Sequence, residues 1–214
     1  MPYVCLLLSG AALLVNGLAT LGHLPRRDAA VFSLMVGGTQ LALGVVHVST
    51  AGNAPAALLT AAGMFLFGVT YLYSGLDLLL ALGGRGLGWF CGMVAFCGVL
   101  LAAAWLGPDP LLAVLWLCWS VLWALLFAGM ALGAARLEPF TGWALVLTSQ
   151  ASATVPAVLG LAGLWPRSPT AAALAALFLA ALFLAALFMA ARTLARRGGN
   201  VPRRARAQGT LPAR

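Results

Sequence analysis

Trp116, Trp119 and Trp123 stand at offsets of three and seven within one apolar run, so on a helix their indoles share a face. Tryptophan in membrane proteins usually anchors at the two water interfaces. That role suits one end of a stripe nearly two turns long, and the remainder is left either to pack or to line a path. Phe67 and Tyr71, four residues apart, repeat the pattern as a cluster within a bundle or as a second aromatic wall. The chemistry such walls offer is an aromatic slot. Ring faces sandwich a small planar amide, while indole N–H groups supply sparse hydrogen bonds.

Polar groups near these rings are few. Leu6, Ser9, Leu13 and Asn16 form a stripe on the first apolar run. An amide such as Asn16 at hydrocarbon depth must pair with another helix or meet water. The most polar stretch is Thr148, Ser149, Gln150, Ser152 and Thr154, followed by Pro156. Its hydroxyls either relieve a proline kink or offer hydrogen bonds to a passing solute. His23 and His47 stand alone near predicted span ends, which suits a structural or interfacial role. Cys5, Cys91, Cys97 and Cys118 lie in apolar runs without metal spacing. No nucleophile–base pair, metal cluster or phosphate loop is visible. These features argue against an enzyme and call for no metal or cofactor.

The elements that must position these groups are set by composition. Of 214 residues, 63% are hydrophobic and 7% charged, with mean hydropathy +1.04. A soluble domain carries about a quarter charged residues, whereas a charge at mid-bilayer costs roughly 2.5–3.5 kcal/mol. The expected fold is an all-α integral membrane protein. Each crossing needs roughly 20 apolar residues, and runs of that kind lie near 3–22, 30–50, 55–80, 87–106, 111–134, 140–164 and 169–191. The breaks hold Pro, Gly, Asn and Asp, and proline is tolerated at a helix start because that N–H is unbonded anyway. No Lys or Arg precedes Arg26, so the first run is read as a span and not as a secretory signal.

The net charge of +8 comes from twelve arginines and no lysine. No nucleic-acid-binding motif accompanies them, so a nucleic-acid partner is not expected. With the N-terminus outside, inner segments hold eleven of them and outer segments only Arg167. That bias places the N-terminus outside and the arginine-rich C-terminal tail in the cytoplasm. Asp28, Asp77, Asp109 and Glu138 fall in loops or near predicted helix ends. Ion pumps and proton relays bury ionisable groups, so the pattern points to an uncharged solute. The seventh run, with Phe178, Phe183 and Phe188 five residues apart and nothing polar from 171 to 191, reads as a lipid-exposed span at the periphery.

Several blocks resemble the AmiS/UreI family of bacterial amide transporters and urea channels. They are Asn16-Gly17, Val36-Gly37-Gly38, Leu66-Phe67-Gly68-Val69-Thr70-Tyr71-Leu72-Tyr73, Trp116-Leu117-Cys118-Trp119-Ser120-Val121-Leu122-Trp123, Phe140-Thr141-Gly142-Trp143 and Pro156-Ala157. The resemblance covers about 3–164. It implies a six-helix transmembrane bundle in a bacterial cell membrane, one pore per protomer and a homo-oligomer, a hexameric ring in the family's urea channels. It also implies that Leu13, Phe67, Tyr71, Trp116, Trp119, Leu122 and Trp123 line or constrict the pore; Asn16 and Thr148 join them as candidates from the residue reading. Three departures stand out. Thr148 occupies the place of a glutamate in the acid-gated member, and the histidine-bearing outer loop shrinks to about Thr50–Pro55. A further span follows the core.

The expected organisation is a channel core over 1–164, an added transmembrane helix over 165–194 and a disordered, arginine-rich cytoplasmic tail over 195–214. The expected function is a passive channel for urea or short aliphatic amides without acid activation, its partners being the small neutral solute and membrane lipid. Two rivals remain at this point: an ion-coupled secondary transporter of small amides, and a non-transporting scaffold whose tail grips anionic lipid.

Overall fold

The computed structural model describes residues 1–52 and 54–199. Among them are seven helical rods long and apolar enough to cross a membrane and no strand. The first five are α1 (Pro2–Thr20), α2 (Arg26–Ala51), α3 (Pro55–Leu80), α4 (Arg85–Trp105) and α5 (Pro110–Met130). The sixth rod is composite: α6 (Glu138–Ser149), a π turn at Gln150–Thr154 and α7 (Val155–Leu161). The seventh is α8 (Pro169–Gly199). The seven sequence runs and these rods coincide to within a few residues. The last one differs most, running on to Gly199, because Thr193-Leu194-Ala195-Arg196 contains nothing that stops a helix. The rest of the expected tail, 200–214, lies outside the described residues.

Local chemistry sets the ends. Pro2, Pro55, Pro110 and Pro169 open their helices, where a missing N–H costs nothing. Asp109 caps α5, its Oδ1 accepting from the Leu112 N–H at 3.0 Å. Ala81 ends α3 in the left-handed region at φ 52°, and Asp77 Oδ1 then accepts from the Gly84 N–H at 2.9 Å. That bond closes the α3–α4 turn.

Without water between helices, association rests on close packing of small residues. α2 and α3 meet backbone to backbone: a methyl on Gly37 would lie 2.5 Å from the Leu72 nitrogen, and one on Gly75 would lie 2.7 Å from the Ala30 carbonyl oxygen. Gly88 does the same for α4 against α5 at Ala131, and Gly17 for α1 against α6 at Val146. Three close pairs, α2–α3, α4–α5 and α1–α6, therefore make up the bundle. α8 packs outside them on α6 and α5. It buries Ala172, Leu179, Ala186 and Ala190 and exposes Leu177, Phe178, Leu184 and Phe188.

The π turn explains the polar stretch before Pro156. Proline lacks an N–H and crowds the carbonyl four residues back, and one wide turn absorbs the conflict. Thr148 Oγ1 donates to the Ala144 carbonyl at 2.7 Å and Ser149 Oγ to that of Val146 at 2.7 Å. Those two hydroxyls serve their own helix.

Candidate functional site

Two cavities enter the bundle from opposite ends. The smaller one, near the start of α1, encloses about 210 Å³, and the larger one, at the far ends of α1 and α3, about 390 Å³. Every core rod contributes, and the residues change in register. On α1, Leu6 and Ser9 face the smaller cavity, while Leu13 and Asn16 face the larger one. On α3, Gly63 and Met64 give way to Tyr71 and Ser74; on α5, Leu112 and Trp116 give way to Leu122 and Trp123. Phe67 and Trp119 alone line both. Among the described residues, none of α8 lines either cavity.

Between the cavities the rings lock together. The Phe67 ring lies 5.1 Å from that of Trp119, nearly edge-on at 85°, and 4.7 Å from that of Trp123. Trp116 meets Trp119 at 5.2 Å and 82°, an edge-to-face contact favoured by the ring quadrupole. Gly63 makes room for this: a methyl there would sit 2.7 Å from the Trp116 ring. Two hydrogen bonds fix the cluster. Trp119 Nε1 donates to Ser152 Oγ at 3.2 Å, and the Tyr71 hydroxyl donates to the Ser9 carbonyl at 3.3 Å. Trp119 is 3% exposed and Tyr71 5%, so both rings turn away from lipid.

The sequence candidates divide on this geometry. Leu13, Asn16, Phe67, Tyr71, Trp119, Leu122 and Trp123 line the larger cavity, and Trp116 the smaller one. Asn16 satisfies both alternatives at once: its Nδ2 donates to the Ala12 carbonyl at 2.8 Å and to Ser33 Oγ at 2.9 Å, while the residue also walls the cavity. Thr148 stands apart from these. It is fully buried, lines neither cavity and spends its hydroxyl proton on Ala144. Ser152, one turn on, is the hydroxyl of that stretch that reaches the aromatic cluster. A side chain facing the neighbouring helix across a π turn cannot be told from one facing its own backbone by spacing alone.

The mouths of the two cavities are polar. At that of the larger one, Arg26 pairs with Glu138 at 3.2 Å, both groups being solvent-exposed, with Asp77 on the same wall. Such a pair contributes on the order of 0–1 kcal/mol. At the mouth of the smaller one, Trp165 Nε1 donates to Asp109 Oδ2 at 2.8 Å, and its ring lies 5.3 Å from that of Tyr3. Trp165 sits in the linker that joins the core to α8. Residue types alone gave no hint that it reaches the cavity. Gln40 was also passed over: it lines the smaller cavity from α2 and is fully buried. A lone amide inside the run Val36–Val48 was the available signal. Among the described residues no cluster of His, Cys, Asp and Glu could hold a metal.

Known proteins share this arrangement. The sequence profile of the AmiS/UreI family transporters matches residues 1–164. AmiS2 of Rhodococcus erythropolis is 42% identical over 175 residues, 81% of this chain and 85% of that one. A protein of Mycolicibacterium smegmatis named for the transport of amidate substrates is 36% identical over 172 residues, 78% of this chain and 80% of its own. The crystal structure of the urea channel from Helicobacter pylori superposes with a TM-score of 0.70 at 29% identity, covering 78% of this chain and all of the channel. With its seven apolar rods and a matched six-span core, the chain is a multi-pass membrane protein that belongs to the AmiS/UreI family of transporters.

Proposed function

We propose that the chain is a passive pore for urea and short aliphatic amides, with residues 1–164 as the conducting core. One observation carries the reading: two cavities reach in from opposite ends and are parted only by the Phe67–Trp119 contact. A solute that crosses there exchanges water for ring faces, one indole N–H and scattered hydroxyls. An ion finds no compensating charge at that depth and is excluded. Planar neutral amides fit these terms, and the solutes named for the two relatives belong to that class. Leu13, Asn16, Phe67, Tyr71, Trp116, Trp119, Leu122 and Trp123 are the residues that would line the route.

The arginine bias puts the N-terminus outside and the chain's end in the cytoplasm, so the 210 Å³ cavity would open outward and the 390 Å³ cavity inward. A homo-oligomer in the bacterial cell membrane accords with the broad apolar faces of α2 and α4, including Met35, Val45, Phe96 and Leu100. Thr148 stands deep in the bundle without charge, and the α2–α3 turn between Ala51 and Pro55 carries no histidine. The pore is therefore read as open without acid.

Stopped-flow light scattering on proteoliposomes tests the proposal. Urea and acetamide should enter several times faster than into protein-free vesicles, at equal rates at pH 5 and pH 7.5 and without a proton or sodium gradient. Rates equal to empty vesicles would sink the pore. Dependence on a gradient would replace it with coupled transport.

A further inference from the structure

Among the described residues, Gln40 is the one long amide side chain held inside the helix bundle, with 0% exposure. Its Nε2 donates to the Cys5 carbonyl at 2.8 Å and to Ser9 Oγ at 2.8 Å. Cys5 offers only an acceptor, so the amide cannot be flipped without breaking that bond. The orientation leaves Oε1 as a carbonyl oxygen with no hydrogen-bond partner, although it is buried. Such a group bears the full desolvation penalty of a missing bond, and native proteins rarely leave one without a reason. Gln40 also stands in the wall of the smaller cavity, with Ser9 beside it and Phe67 and Trp119 at the cavity floor. Ser9 Oγ accepts from Gln40 and donates to no group among the described residues. Side by side, then, are a carbonyl in want of an N–H and a hydroxyl with a proton to give.

We infer that Gln40, with Ser9, is a selectivity site of the smaller cavity that takes the N–H of an unsubstituted amide and so favours solutes with an –NH₂ group. This rests on the pore reading above and deepens it. The ring contact between Phe67 and Trp119 sorts by thickness and planarity, which cannot tell an –NH₂ from an N-methyl group of similar outline. An orphan acceptor can, because a solute without N–H enters and leaves Oε1 as bare as before. The asymmetry is that of any site built to pair a donor: rejection of the analogue lacking it exceeds what shape alone provides. Phe67 and Met64 in the same wall carry no side-chain N–H, and no donor among the described residues reaches Oε1.

Propionamide, N-methylacetamide and N,N-dimethylformamide are isomers with two, one and no N–H groups. Their fluxes into proteoliposomes of the full chain, each less the flux into empty vesicles, isolate the donor from size. Wild type should pass propionamide about three- to ten-fold faster than N,N-dimethylformamide, the value of one ordinary hydrogen bond. N-methylacetamide should fall between them. Gln40→Met keeps the volume and removes the acceptor, and should bring the ratio near one. A ratio near one in wild type overturns the site without any variant, and covers the case in which Gln40→Met does not insert. A ratio unchanged in Gln40→Met also overturns it, and would mean that Oε1 is satisfied by water. Urea and acetamide flux absent from wild type would instead remove the pore itself, whereas urea flux with a flat isomer ratio removes only this inference.

Discussion

Single hydroxyls decide much at the residue scale. Ser152 and Thr148 lie one turn apart, are equally buried and were equally eligible from sequence, yet their bonds run in opposite directions. Ser152 Oγ takes the Trp119 N–H, whereas Thr148 Oγ1 returns to its own helix. Ser152→Ala should therefore leave a buried indole donor bare and destabilise the protein by about 1–3 kcal/mol. Thermal unfolding in detergent will register this as a lowered midpoint, and Ser152→Thr should restore it. Thr148→Val should leave urea flux within two-fold of wild type, as read by stopped-flow scattering. The aromatic faces were legible in the sequence because offsets of three, four and seven survive in any helix. The destination of a hydroxyl was not, since that depends on what a neighbouring rod presents.

The rods themselves were almost fully legible at the scale of elements. Hydrocarbon thickness sets a minimum apolar length, and proline and glycine mark the breaks, so seven runs predicted seven helices. Less visible was why Val36-Gly37-Gly38 holds two glycines. Gly37 faces α3, where a methyl would lie 2.5 Å from the Leu72 nitrogen, while Gly38 has nothing within 4 Å of its missing methyl. Gly37→Ala should force α2 and α3 apart, lower the unfolding midpoint and reduce flux. Gly38→Ala should alter neither. A comparison of the two melting curves checks this directly, and equal effects would mean that α2 does not meet α3 as described. The π turn was foreshadowed only by Pro156, since a residue-by-residue pattern cannot show where a helix widens.

At the scale of the whole molecule, the six-span core and α8 differ in what they touch. Core rods wall both cavities, while α8 presses a stripe of small residues on α5 and α6 and turns its phenylalanines at 178 and 188 outward. Removal of 169–214, with Trp165 kept to hold Asp109, should therefore leave urea flux at least half of wild type. Proteoliposomes of the shortened chain provide the measurement, and complete loss despite correct insertion would make α8 part of the conducting unit. How the rods enclose space was beyond the sequence, because a cavity belongs to several helices at once. In the proposed pore that shared geometry would also set throughput. Two vestibules in series, meeting at a single plane of rings, would behave like wide pipes on either side of one narrow washer. Nearly all the resistance would then fall at Phe67 and Trp119. Enlarging either vestibule would change how much solute waits there, and leave the current almost as it was.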